Sequence, residues 1–203
     1  MPAGPVTPSE RAAQKGQKPL CIWLTGLPAA GKSTIAEALE RALLDLGRHA
    51  TVLDGDRLRA GLNRDLGFSP EARAENIRRS AEVARLMVDA GLIVVCAFIS
   101  PYRAERRFAR SLFAPGDFVE VHVDASARIR EERDPKGHYA RARRGEITGF
   151  TGIDGSYEVP EAPELRLDTA RESLEACVQR ILALPALSEL PSPASGRGAG
   201  GEG

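Results

Sequence analysis

Short apolar runs alternate along the chain with longer stretches whose apolar residues recur at helical spacing. Residues 20–25, Leu-Cys-Ile-Trp-Leu-Thr, are continuously apolar and predict a strand buried on both faces. From 32 to 46 the apolar residues Ile35, Leu39, Leu43 and Leu46 form one helical stripe, and Gly47 stops it. Residues 50–53 predict a second strand. A long helix is expected over 71–90, with Ile77, Ala81, Ala84, Met87 and Val88 on one face and Gly91 closing it. The most apolar segment, 92–99, predicts the central strand. A helix over 102–112, a strand over 117–123, a short helix over 125–132, a strand over 165–168 and a helix over 170–184 follow. Strand and helix in alternation predict a parallel sheet covered on both faces. The polar, glycine-bearing segment 133–164 breaks this rhythm and is expected to be an insertion or lid.

Both ends lack such a pattern. Residues 1–17 carry three prolines, and 185–203 end in a Gly/Pro/Ser-rich run; both are expected to be disordered, leaving one folded domain over 18–184. Hydrophobic residues make up 42% of the 203, the share of a globular chain. No apolar run approaches the ~20 residues of a membrane span, and the leader has no apolar core of a signal peptide. The 28 basic and 28 acidic residues cancel, which argues against binding a nucleic-acid polymer through bulk charge. Cys21, Cys96 and Cys177 are odd in number and unpaired in sequence, which suits a reducing cytoplasm, and Cys21 and Cys96 read as small buried hydrophobes. Only Lys15, Lys18, Lys32 and Lys136 are lysines in an otherwise arginine-based chain.

Gly26-Leu-Pro-Ala-Ala-Gly31-Lys32-Ser33 fits GxxxxGK[ST] and lies between a predicted strand and a predicted helix, the context the pattern requires. Its glycines permit turns that aim backbone N–H groups at phosphate oxygens at the helix N-terminus. Gly26, Leu27, Pro28, Ala29, Ala30, Gly31, Lys32, Ser33 and Thr34 are therefore candidate ATP-binding residues, with Lys32 on the β- and γ-phosphates and the Ser33 hydroxyl on Mg²⁺. A glycine turn that merely caps a helix is the structural alternative. No Asn-Lys-x-Asp guanine reader is present, and the chain is short for a motor. An acidic loop after the second strand and an arginine-rich lid fit a small-molecule kinase.

Further blocks extend the pattern. Asp54-Gly-Asp56-Arg-Leu-Arg59 through Phe68-Ser69, Arg73-x-Glu75-Asn76-Ile-Arg78-Arg79, Phe98-Ile-Ser100-Pro101-Tyr102-Arg103, Arg133-Asp-Pro-Lys136-Gly, and Gly149-Phe150-Thr151-Gly152-Ile153-Asp154 through Tyr157-Glu-x-Pro160 occur in that order. Together they resemble the adenylylsulfate (APS) kinases over about residues 20–168. The resemblance implies a three-layer α/β P-loop kinase fold with a mostly parallel central sheet and a lid insertion. It implies transfer of the ATP γ-phosphoryl to the ribose 3′-hydroxyl of adenosine 5′-phosphosulfate, giving PAPS in sulfate assimilation. Mg²⁺ dependence and a homodimer come with it. Any coupling to an ATP sulfurylase would be in trans.

The resemblance also distributes roles. Lys32, Asp56 and Ser100 become catalytic candidates. Asp56 is the expected base, although an aspartate there also suits a helix N-cap. Arg59, Arg73 and Asn76 are assigned to the anionic acceptor, where guanidinium forks suit phosphate and sulfate oxygens. Phe68 and Phe150, exposed-looking aromatics in glycine-rich loops, are assigned to stacking on the acceptor adenine; anchoring the loops is the alternative. Ile99, Ser100 and Lys136 complete the acceptor set, and Arg133 joins the ATP set. Ser100-Pro101 equally reads as a helix start, serine at the N-cap and proline at N1. Arg141, Arg143 and Arg144 read as solvated lid charges. Two cationic surpluses of three charges, over 57–79 and 128–146, suit small nucleotide anions. Pro28 lacks an N–H and removes one possible phosphate donor, and His138 replaces a commonly apolar lid residue. A kinase for another small alcohol and a silent nucleotide-binding regulatory module are the competing functions.

Overall fold

The computed structural model describes residues 4–188. Five strands, β1 (Leu20–Thr25), β2 (Ala50–Asp54), β3 (Ile93–Phe98), β4 (Phe118–Asp124) and β5 (Leu165–Asp168), form one sheet of order β2-β3-β1-β4-β5. Every pairing is parallel. The carboxyl ends of all five strands therefore lie at one edge, where ligands of such sheets bind.

The helices are α1 (Pro8–Lys15), α2 (Lys32–Asp45), α3 (Gly55–Ala60), α4 (Pro70–Asp89), α5 (Arg103–Ser111), α6 (Ala127–Arg133), α7 (His138–Arg143), α8 (Leu174–Leu182) and α9 (Pro185–Ser188). Five of them, α2, α4, α5, α6 and α8, sit where the apolar stripes predict, and α1, α3, α7 and α9 are additional. β1 and β3 are buried along their whole length because both faces of the sheet are covered. Successive side chains of β1 divide between two cores. Leu20, Ile22 and Leu24 pack with Ile35, Leu39 and Leu43 of α2 and with Val178 and Ile181 of α8. Cys21 and Trp23 pack with Ile77, Ala81 and Ala84 of α4. Trp23 is fully buried, its ring 4.9 Å from that of Phe98 and 5.8 Å from that of Phe118. Emptying such a site costs about 3–5 kcal/mol.

Four local expectations change. The leader, expected to be disordered, holds α1, because Thr7 and Glu10 close a reciprocal capping box and Pro8 occupies the first turn. The Ser100-Pro101 pair does not start a helix. Tyr102 is the N-cap of α5, and Ser100 adopts a left-handed φ of +38°. The aspartate that caps α3 is Asp54, whose side chain accepts from the Asp56 N–H at 2.9 Å. The last helix starts at Leu174, after a Ser173 N-cap, and is followed by α9. Of the tail, residues 189–203 lie outside the described residues. Among the described residues no helix is long and apolar enough to cross a membrane.

Candidate active site

The loop after β1 turns onto α2 at the sheet's carboxyl edge. Gly26 is there for closeness: a Cβ on it would stand 2.1 Å from the Val123 carbonyl oxygen of β4. Ala29 and Gly31 take left-handed φ values of +58° and +100°. No side chain caps α2, so its first N–H groups face the loop and favour an anion. The Lys32 ammonium is buried and donates to the Gly26 and Leu27 carbonyls at 2.9 and 2.8 Å. Burial lowers its pKa to about 8, against the pull of Asp54 and Asp56. Thr34 is exposed on the first turn of α2.

Ser33 and Asp54 meet across the site, the hydroxyl donating to Asp54 Oδ2 at 2.7 Å. Among the described residues no group of three or more His, Cys, Asp or Glu side chains forms a metal cage. A hydroxyl backed by one carboxylate is instead a donor set that fits Mg²⁺, which keeps most of its shell as water and substrate phosphate.

The lid reaches the same place. Lys136 Nζ contacts the Asp56 carboxylate, joining the lid to α3. Arg133 donates to the Thr169 hydroxyl and carbonyl at 2.9 and 2.7 Å, and Thr169 in turn donates to the Ala30 carbonyl at 2.8 Å. Arg130 is buried, donating to the Ala125 carbonyl and to the Tyr139 hydroxyl. Tyr139 itself donates to the Pro28 carbonyl at 3.1 Å. Gly152 is pressed against Leu27 and Tyr139, where a Cβ would meet both at 3.1 and 3.2 Å. Arg141, Arg143 and Arg144 are exposed in pairs with Glu131 and Glu146, as solvated lid charges should be.

The residues expected on the acceptor side form a second group around α4. Arg73 is the hinge pin of this group. It donates to the Phe68 carbonyl at 2.9 Å, the Thr151 hydroxyl at 3.0 Å and the Gly149 carbonyl at 2.9 Å, so one guanidinium joins the loop before α4 to the lid exit. Arg59 donates to the Gly67 carbonyl at 3.0 Å and lies 4.5 Å over the Phe68 ring. Phe68 is 69% exposed, but Phe150 is not the exposed aromatic its glycine-rich loop suggests: it is 9% exposed, edge-on to Tyr139 at 5.1 Å. His138 packs edge-on to the same ring, a contact an apolar residue could also make. Asn76 is buried and accepts from Asn63 Nδ2 at 3.0 Å. The Ile99 carbonyl accepts from the Thr25 hydroxyl at 2.8 Å. Ser100 is 1% exposed, its hydroxyl donating to Thr25 at 2.9 Å and accepting from Trp23 Nε1 at 3.1 Å. Its oxygen is thus held inward by its neighbours.

A family model described as adenylylsulphate kinase matches residues 18–168. The chain belongs to the adenylylsulphate kinase family. It is 60% identical over 177 residues to an adenylyl-sulfate kinase of Aeromonas hydrophila, covering 87% of this chain and 90% of that one. It is 59% identical over 172 residues to one of Shewanella halifaxensis, covering 85% and 84%. Among solved structures, the Mycobacterium tuberculosis APS kinase CysC in complex with AMPPNP and APS superposes with a TM-score of 0.79 at 48% identity, covering 82% of this chain and 97% of that one.

Several supporting residues of this family member carry no signal in the sequence pattern. Trp23 and Thr25 read only as strand residues, and Arg130, Tyr139 and Thr169 as ordinary helix or loop positions. Their roles depend on contacts made 9 to 139 residues away along the chain. A cavity of about 330 Å³ lies beside the phosphate loop rather than in it, lined by Leu27, His122, Asp124, Tyr157, Arg166 and Glu172 among others.

Proposed function

We propose that this chain transfers the γ-phosphoryl of ATP to the 3′-hydroxyl of adenosine 5′-phosphosulfate, giving PAPS. The observation that carries the reading is one convergence. Lys32, the Ser33–Asp54 pair and the Asp56–Lys136 pair meet at the carboxyl ends of β1 and β2, under a lid whose other arm is tied to acceptor-side Arg73. The helix α2 N-terminus and Lys32 bind the ATP phosphates, and Arg133 closes over the nucleotide from the lid. Asp56 accepts the proton of the attacking hydroxyl. Arg59, Arg73 and Asn76 hold the acceptor anion, and Phe68 and Phe150 flank its base. Lid cations over the transferring group neutralise charge and exclude water. Ser33, with Asp54 behind it, would hold Mg²⁺, which neutralises phosphate charge when bound. Ser100 supports the acceptor loop from within rather than carrying the phosphoryl.

Buried, unbridged cysteines suit a cytoplasmic setting. A homodimer, and functional coupling to an ATP sulfurylase, accompany this reading. A coupled ADP-release assay with APS and a panel of other alcohols tests it, with Lys32→Ala as the inactive control. Release with APS is expected. Release with another acceptor but not with APS would overturn it, and ATP binding without release to any acceptor would favour a silent module.

A further inference from the structure

Arg106 lies outside the constellation above and is among the most enclosed charges in the molecule, at 3% exposure. Its guanidinium reaches three separate parts of the chain: the loop after β3, the lid exit and β4. Nη1 donates to the Ser100 carbonyl at 2.7 Å, Nη2 donates to the Glu158 carbonyl at 2.6 Å, and Nε faces Glu120 Oε1 on β4 at 2.8 Å. The cation also stands 5.8 Å from the Tyr157 ring. A buried guanidinium has five donors in a fixed fork, so it fixes the mutual geometry of whatever accepts from it.

What it fixes is specific. The Ser100 backbone is at a φ of +38°, a conformation a non-glycine residue keeps only when its surroundings impose it. The Ser100 side chain is tied to Thr25 and Trp23, and its carbonyl to Arg106. The lid exit is stapled to the same corner. Glu158 N–H donates to the Pro101 carbonyl at 2.8 Å, the Glu158 carboxylate accepts from the Arg103 N–H at 2.6 Å, and Arg103 Nε donates to the Val159 carbonyl at 3.0 Å. Tyr157 meets the Thr25 hydroxyl at 3.2 Å, one residue before the phosphate loop. Arg73 clamps the other end of this segment, at Gly149 and Thr151. Between the two arginines runs the stretch that carries Phe150. The groups assigned to ATP make their own hydrogen bonds elsewhere: Lys32 to the phosphate loop, Ser33 to Asp54 and Arg133 to Thr169.

We propose that Arg106 is a positioning residue for the acceptor, holding the Ile99–Ser100 loop and the lid exit in the register that APS requires. The proposal rests on the acceptor-side assignment of Arg73, Phe150 and Ile99 given above. Its signature is a selective loss: acceptor affinity falls while nucleotide affinity stays.

Removing Arg106 alone would leave the buried Glu120 with only the longer 3.5 Å contact to Arg110, so the test removes both charges together. The double variant Arg106→Gln/Glu120→Gln is expected to melt within a few degrees of the wild type. Its KM for APS should rise at least tenfold, with KM for ATP within twofold, and its amide exchange at Glu158 should quicken. Arg106→Lys keeps the pair with Glu120 but reaches at most one carbonyl; it should raise KM for APS about threefold or more with the same split, and it carries the test alone if the double variant does not fold. A KM for APS within twofold of wild type, or equal rises in both KM values, overturns the proposal. Arg73→Ala, run in parallel, separates the two levels. If it raises KM for APS and the Arg106 variants do not, only the positioning role fails. If none of these variants moves KM for APS, the acceptor-side assignment fails with it.

Discussion

Glu105 is a carboxyl held where its charge is poorly served. It is the third residue of α5 and 8% exposed. One oxygen accepts from the Tyr102 N–H at a long 3.4 Å, and the other is buried without a hydrogen-bond partner. Burial pushes its pKa up from 4.5 to about 7, against the Tyr102 N–H and the nearby Arg106 and Arg73 charges, while Glu158 pushes it further up. The unfolded chain releases this proton near pH 4.5 and the folded chain only near pH 7, so between those values the folded state binds more protons. Stability from this group is therefore present below about pH 4.5 and is lost as pH rises to about 7. At about 1.4 kcal/mol per pH unit the ceiling is about 3 kcal/mol, and residual solvent screening reduces it to about half. Glu105→Gln keeps the shape and the capping acceptor but cannot ionise. In a domain of this size, about 1.5 kcal/mol moves Tm by about 3–6 °C. Calorimetric melting of both proteins from pH 5 to pH 8 should show a difference that shifts by that amount in the variant's favour across the range. Any constant offset from the amide cancels in that comparison. A Tm difference that is the same at pH 5 and pH 8 would refute the reasoning.

Two substitutions probe the phosphate-transfer side. Asp56→Asn removes the proton acceptor and the charge opposite Lys136; kcat should fall about a hundredfold or more, the usual worth of a general base, with KM for ATP little changed. A loss of less than fivefold in the coupled assay would take the base role from Asp56. Gly26→Ala places a methyl 2.1 Å from the Val123 carbonyl oxygen, so the loop or β4 must move. Titration calorimetry should show ATP affinity reduced at least tenfold, and an unchanged affinity would show that the loop shifts without cost.

Elements were legible where burial imposes a period. β1 and β5 fall where the apolar runs place them, and α2 and α4 lie within a residue of their predicted starts, because a two-sided sheet demands continuous apolar strands and its covering helices demand a stripe. What stayed illegible was set by polar contacts without a period. α1 buries no residue and depends on a Thr7–Glu10 box, so hydrophobic pattern carries no trace of it. Phe150 looked like a loop aromatic because its burial comes from Tyr139 and His138, eleven and twelve residues earlier in the lid. Ser100-Pro101 has the composition of a helix start, yet Trp23 and Thr25 on β1 take the serine hydroxyl and draw it inward. For Phe150 and Ser100 a partner elsewhere in the chain overrode a locally sound preference, whereas α1 rests on a local box that hydrophobic pattern does not register.

The division of labour between lysine and arginine follows the same physics. Arginine holds the joints between distant segments: Arg73 bridges three acceptors, Arg106 two carbonyls and a carboxylate, and Arg133 both oxygens of Thr169. A rigid fork fixes the relative geometry of its acceptors, whereas a compact ammonium supplies charge without that constraint. Lys15 and Lys18 make peripheral contacts, to His49 and to Asp117. Lys32 and Lys136 are compact point charges, one inside the phosphate loop against the Gly26 carbonyl and one on the lid against Asp56. Lys32 is buried against the Gly26 and Leu27 carbonyls, and a planar guanidinium is bulkier than the ammonium it would replace there. Lys32→Arg is therefore expected to lose activity in the coupled ADP-release assay although it keeps the charge, and full activity in that variant would refute the argument from bulk.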